Sequence, residues 1–283
     1  MNQTDIQGRD TAWREALRKA MTAKERAEIP RVEMPMLDGD YRVTCNEEVN
    51  QGLSLEQAKL EATRCLDCPN PTCVEGCPVG IHIPDFIKNI QRGDLHAAAA
   101  VLKSTSALPA VCGRVCPQEK QCESRCIYNK MKKAPVAIGY LERFAADAEI
   151  ARGESIEAPE IASNGIRVAV AGSGPAGLSF AGEMARRGFE VDVFEALHEV
   201  GGVLKYGIPE FRLPNSIVDA ELDSLRRAGV RFHTDTVIGK TLSYDDLLNQ
   251  GFKGIFVASG AGLPRFMNIP GENYCGVLSS NEY

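Results

Sequence analysis

RCLDCPNPTCVEGCP, from Arg64 to Pro78, places Cys65, Cys68, Cys73 and Cys77 within thirteen residues and follows the last of them with a proline. A second quartet, Cys112, Cys116, Cys122 and Cys126 in CGRVCPQEKQCESRC, repeats the theme with a proline after Cys116. Thiolates are soft ligands that suit zinc and iron–sulfur clusters. A structural zinc site usually pairs two short knuckles across a longer gap, whereas each quartet here is compact.

A proline behind the fourth cysteine is the pattern of two-cluster ferredoxins, in which three close cysteines hold one cluster and the fourth crosses to the other. The spacing therefore predicts two [4Fe–4S] clusters. Cys65, Cys68 and Cys73 share one of them with a late cysteine, and Cys77 joins the second group. Zinc and reactive thiols are the alternatives. By count alone, eight cysteines fill two clusters, which makes Cys112 a ligand.

The rest of the composition sets the frame. A chain of 283 residues suggests two domains. With 44% hydrophobic and 25% charged residues, each can build a core without staples. A net charge of −6 gives no electrostatic case for nucleic acid or an anionic membrane. The basic run NKMKK (Asn129 to Lys133) reads as a solvated turn. The N-terminus, MNQTDIQGRDTAWREALRKAM, carries charges throughout and is no signal peptide. No apolar run approaches the roughly 20 residues of a membrane helix. A cytoplasmic protein is expected, where ten cysteines argue for metal rather than disulfides.

All cysteines except Cys45 and Cys275 lie between residues 65 and 126, and glycines cluster after 165. The shift predicts a helical domain over 1–155 and an α/β domain over 156–283, with the boundary in the polar stretch Ala151 to Gly165. In the first, DTAWREALRKAMTAKERAEI (Asp10 to Ile29) reads as one helix stopping at Pro30. Ser54 and Asp94 are N-cap candidates, and Pro135 suits the first turn of APVAIGYLERFAADAEI. In the second, the strands IRVAVAG, EVDVFEA, VRFHTDT and KGIFVASGA alternate with helical segments, which argues for a parallel sheet covered on both faces.

The first of those strands runs into a glycine turn, Gly172-Ser173-Gly174-Pro175-Ala176-Gly177. G-x-G-x-x-G alone is weak. Between a strand and a helix, with Glu195 ending the next strand, it is a dinucleotide fingerprint. The glycines admit a pyrophosphate to a helix N-terminus, and Glu195 can accept from a ribose hydroxyl. A tight structural turn is the alternative.

Gly201 and Gly202, a short step after Glu195, resemble the extended flavin fingerprint of disulfide-reductase-like flavoproteins. VASGA (Val257 to Ala261), with Gly260, resembles the strand end beside their flavin. FAD is favoured over NAD. Together with AIGYLERFAAD, AGSGPAGLSFA and YGIPEFRLP, the cysteine motifs resemble the glutamate synthase small-subunit family. That family is shared with the large subunit of bifurcating NADH-dependent ferredoxin:NADP oxidoreductase and the N-terminal region of dihydropyrimidine dehydrogenase. The resemblance implies one cluster on Cys65, Cys68, Cys73 and Cys126. It implies a second on Cys77, Cys116, Cys122 and Glu142, leaving Cys112 a buried non-ligand. Otherwise Glu142 is a solvated helix residue paired with Arg143 or Lys133. It also implies flavin contacts from Arg212, which is otherwise a surface ion pair, from the backbone around Val203 and Leu204, and near Ile238.

The activity implied is electron transfer between NAD(P)H and the clusters through FAD, onward to a larger redox subunit. That partner would be a glutamate synthase large subunit or a ferredoxin-linked or hydrogenase-type protein. A non-enzymatic relay subunit is the rival. No catalytic side chain is assigned. After Leu204 no second glycine fingerprint follows, since GAGLPR lacks the third glycine, so the FAD domain is expected to be incomplete and the NAD(P)H domain absent. His82, His96, His198 and His233 share no metal spacing. Trp13, Cys45 and Cys275 read as packing residues.

Overall fold

The computed structural model describes residues 8–153, 161–279 and Tyr283. The expected boundary at 155/156 lies outside the described residues. Among residues 8–153 the chain is helical: α1 (Ala12–Ala20), α2 (Ala23–Glu28), α3 (Gly39–Arg42), α4 (Leu55–Arg64), α5 (Thr72–Glu75), α6 (Ile83–Arg92), α7 (Leu95–Lys103), α8 (Pro109–Val115), α9 (Ile127–Lys130) and α10 (Ile138–Arg152).

Local chemistry sets several of these ends. Ser54 forms a reciprocal capping box with Gln57 on α4, and the Asp94 carboxylate accepts from the Ala97 N–H on α7, as expected. The single helix expected over Asp10 to Ile29 is two. Met21 is extended, and Thr22 forms a capping box with Glu25 that starts α2 afresh. Pro135 does not sit in a first turn either. Its carbonyl accepts from Arg31 and Arg64, so it is held in the loop before α10.

The apolar side of α6 (Ile83, Phe86, Ile87, Ile90) packs with Ala58, Ala62, Leu102, Tyr128 and Leu141 into one core. Each of the Ile, Leu and Phe side chains contributes about 1.5–3 kcal/mol through burial.

The second unit has β1 (Arg167–Ala171), α11 (Pro175–Arg186), β2 (Glu190–Phe194), α12 (Val203–Tyr206), α13 (Asn215–Arg227), β3 (Arg231–His233), α14 (Tyr244–Asn249) and β4 (Gly254–Val257). All strand pairs are parallel, in the order β3-β2-β1-β4. The chain leaves β1 toward β2 on one side and returns as β4 on the other. The carboxyl end of β1 is therefore a switch point, where ligands bind in open α/β sheets. One face packs on α11 and α13 through Leu178, Ala181, Val218 and Leu222, the other on Phe252 and Leu247.

The two units share a seam. Leu108 and Val111, at the start of α8, belong to the α11–α13 core. The Ala110 N–H donates to Glu221 Oε1 at 2.6 Å, and Lys103 Nζ reaches Glu149 at 2.6 Å and Ser224 Oγ at 3.3 Å. Residues 261–279 run over the surface beyond β4 without helix or strand, leaving Leu263 at 90% exposure. Cys275 is exposed there, and Cys45 is half-buried, so neither is the buried packing residue expected. No helix among the described residues is long and apolar enough to cross a membrane.

Candidate functional site

The cysteines come together in two sets that interleave along the chain. Cys65 caps α4, Cys68 follows Asp67, Cys73 lies in α5, and Cys126 joins a 3-10 turn (Glu123–Arg125) to α9. Asp67 takes a left-handed conformation with φ 54°, which turns the chain sharply between the first two cysteines. These four line one cavity with Ile83, Ile87, Tyr128 and Val136. Burial pushes the Cys68 and Cys73 thiols up, and the neighbouring Cys65 and Cys126 push them further. Thiols kept neutral by one another ionise when a cationic metal group arrives.

The second set forms around Glu142. α8 crosses α10 so closely that a Cβ on Gly113 would lie 2.5 Å from the Arg143 backbone nitrogen. The crossing brings Cys116, the C-cap of α8, to Glu142 in α10. Burial raises the Cys116 thiol to about 11, and its next influences are Glu142 and Cys77. For Cys122 burial again leads, followed by Glu123, Glu142, Cys116 and Cys77. Glu142 is buried, and its Oε1 has no hydrogen-bond partner among the described residues. Burial, aided by Glu221, lifts this carboxyl to about 8. Arg143 pairs with Glu48 and Asp147, and Lys133 with Glu28, so neither serves Glu142.

Cys112 lies one turn before Cys116. Burial pushes its thiol up, followed by Glu142 and Cys116, while Ser106 and Glu221 also act on it. Among the described residues no three His, Cys, Asp or Glu side chains converge on a single-ion site. An orphaned carboxylate oxygen beside three thiols fits an iron that lacks a fourth sulfur.

The glycine turn lies at the switch point. Gly172 leaves β1 with φ 107°, and a Cβ there would sit 2.3 Å from the Ala258 carbonyl oxygen. Gly177 packs against Gly172 so tightly that a Cβ would come within 2.0 Å of its carbonyl oxygen. Gly174, the N-cap of α11, instead faces open space, and Pro175 and Ala176 are exposed beside it. An open pocket at the first turn of a twelve-residue helix fits an anion such as a pyrophosphate.

Ser173 and Glu195 bind each other beneath this cradle. Glu195 Oε2 accepts from the Ser173 N–H at 2.9 Å and from its hydroxyl, and Oε1 accepts from the Leu197 N–H at 2.9 Å. The Ser173 oxygen accepts from the Gly201 N–H at 2.9 Å, tying the two glycine motifs together. Ser173 is wholly buried, so its side chain braces the loop from below. Gly202 rests on Gly174, whose Cα a Cβ would meet at 2.9 Å. Val203 is exposed beside them while Leu204 anchors α12 in the core. Gly260, with φ 76°, opens on space past β4. Ile238 packs under β2 with Phe194 and Phe252. Arg212 is exposed in the 207–214 loop with no side-chain partner among the described residues.

Sequence reasoning passed over Glu221, Lys88, Arg114, Glu48 and Asp147. Each has a partner distant in sequence, and no local motif marks them.

Two family models match the chain. Dihydropyrimidine dehydrogenase domain II, 4Fe-4S cluster, matches residues 42–154, and pyridine nucleotide-disulphide oxidoreductase matches 166–282. The glutamate synthase [NADPH] small chain of Azospirillum brasilense is 34% identical over 83% of this chain and 49% of its own length. That of Escherichia coli (strain K12) is 35% identical over 82% and 49%. The NAD-dependent dihydropyrimidine dehydrogenase subunit PreT of Escherichia coli O157:H7 is 38% identical over 73% and 50%. The chain spans about half the length of these curated relatives. Among solved structures, histamine dehydrogenase from Rhizobium sp. 4-9 matches at 20% identity and a TM-score of 0.35, over 71% of this chain and 27% of that one.

Proposed function

Because the chain belongs to the glutamate synthase small-chain-like family of iron–sulfur flavoproteins, with [4Fe–4S] clusters and FAD as its cofactors, we propose that it relays electrons between an NAD(P)H-linked FAD and two clusters, and on to a larger redox subunit, in the cytoplasm. Flavin accepts electrons in pairs and the clusters carry them singly. The observation that supports this reading is Glu142, a buried carboxyl with an unpartnered oxygen that acts on the Cys116 and Cys122 thiols, which Cys77 also influences.

In this reading Cys65, Cys68, Cys73 and Cys126 hold the cluster far from the seam, and Cys77, Cys116, Cys122 and Glu142 the one near it. Gly174 and the first turn of α11 receive the pyrophosphate. Glu195 holds the ribose edge while keeping its bonds to Ser173 and Leu197. Gly202, Val203, Leu204, Ile238, Gly260 and Arg212 border the flavin. α8 links the two halves: its first turn donates to Glu221 of α13 and its last residue leads to Cys116. Electrons from the flavin side reach the Glu142 set first.

The test is anaerobic mixing of full-length, cluster- and flavin-loaded protein with NADPH or NADH, followed by flavin absorbance and cluster EPR. Flavin bleaching followed by a reduced-cluster signal is expected. Clusters that reduce equally fast in flavin-free protein would overturn the order. If neither nucleotide bleaches the flavin while a reduced partner reduces the clusters, the relay-only reading stands instead.

A further inference from the structure

Lys88 is wholly buried on α6. Its ammonium donates to the backbone carbonyl of Cys65 and to Gln91 Oε1 at 2.8 Å. No carboxylate accepts from it among the described residues. Asp67, whose charge also favours the ammonium, is taken up by Arg14 and Arg18. A buried ammonium without an anion is costly. Burial lowers its pKa, and the first influence raising it again is the Cys65 side chain. Arg26 and Arg14 stand on the same side as further cations. Cys122 of the second donor set has carboxyl groups rather than an ammonium beside it, with Glu123 and Glu142 pushing its thiol up after burial.

We propose that Lys88 is a fixed counter-charge for the cluster held by Cys65, Cys68, Cys73 and Cys126, making that cluster the resting place of an electron shared between the two. The proposal rests on the ligand sets given above. The step it governs is the entry of one electron. No bond forms or breaks and no proton moves, and the four-thiolate unit becomes more negative by one charge. An ammonium locked against the backbone of one ligand favours that added charge. The same ammonium fixes the Cys65 carbonyl, so the position of the first thiolate and its electrostatic environment are set by one side chain.

The test is an EPR-monitored redox titration of the full-length, cluster- and FAD-loaded protein. Two reduced-cluster signals in the parent show that both clusters are present, and Glu142→Ala marks which signal belongs to the second set. Lys88→Met is expected to lower the equilibrium constant for reducing the first cluster about tenfold, about 59 mV for a one-electron couple. The second cluster should keep its midpoint. Lys88→Arg retains the charge and should hold the first midpoint within about twofold of the parent. An unchanged midpoint in Lys88→Met would overturn the proposal, as would equal shifts in both variants, which would point to shape. If Lys88→Met loses the first cluster and Lys88→Arg keeps it, the counter-charge is upheld. If both lose it, the charge is not the cause and the proposal falls.

Discussion

Glu221 offers a quantitative handle on the seam. Its carboxyl is 3% exposed and accepts from the Ala110 N–H at 2.6 Å. Burial lifts it from the ordinary 4.5 to about 7, and Glu149 adds to the rise. The folded-state pKa lies above the unfolded one, so the folded chain keeps a proton that the unfolded chain has released. The stability this contributes is fully present below pH 4.5 and disappears as pH rises through 7. Its full span is about 3 kcal/mol, at 1.36 kcal/mol per pKa unit, of which about 1 kcal/mol falls between pH 6 and 8. Glu221→Gln is neutral at every pH and keeps the oxygen that Ala110 needs. The parent should therefore lose about 1 kcal/mol more than the variant between pH 6 and 8, and the variant should be the more stable at pH 8. Urea unfolding of anaerobic, cluster-loaded protein at the two values reads this directly. Parallel pH dependences would show that Glu221 is already ionised in the fold and that the burial argument fails.

Gly174→Ala should leave urea stability within about 0.5 kcal/mol, because the new methyl meets no atom within 4 Å, yet cut FAD retention on gel filtration; equal retention would remove the pyrophosphate from this cradle. Gly177→Ala should reduce both folding yield and flavin content, since its Cβ would overlap the Gly172 carbonyl, and a stable, flavin-loaded variant would contradict the close packing. Glu195→Gln should cost about 1–3 kcal/mol of stability by unpairing Ser173 or Leu197 and also weaken flavin retention, whereas lost stability with full flavin content would make Glu195 a loop brace only. Arg212→Met should weaken flavin retention without moving the unfolding midpoint; a fall in stability alone would assign Arg212 to the fold.

What the sequence disclosed follows the range of each interaction. The glycine turn, the Ser54 and Asp94 caps and the alternating strands depend on neighbours within a few residues, so their chemistry is written locally. The α1–α2 break was equally local, but helical periodicity over Asp10 to Ile29 hid the capping box at Thr22. Pro135 misled for a different reason: its carbonyl is claimed by Arg64, 71 residues away, and the tertiary bond overrides its helix-start preference. Proline-flanked spacing suggested the crossing of Cys77 out of its own quartet, and Cys77 does influence the Cys116 and Cys122 thiols. Glu142 was not, and entered only through resemblance, because nothing in GYLERF announces that α8 will press a cysteine against it. Glu221 reaches Ala110 across 111 residues, a contact that no sequence window contains.

The central claim is that Glu142, not Cys112, completes the donor set of Cys77, Cys116 and Cys122. EPR spectra of the anaerobically reduced protein, compared between Glu142→Ala and Cys112→Ser, test it most directly. The account predicts that Cys112→Ser leaves both cluster signals at parental shape and intensity, while Glu142→Ala alters or abolishes one of them and spares the other. A changed signal in Cys112→Ser with parental spectra in Glu142→Ala would contradict it and return the eighth ligand to the cysteine.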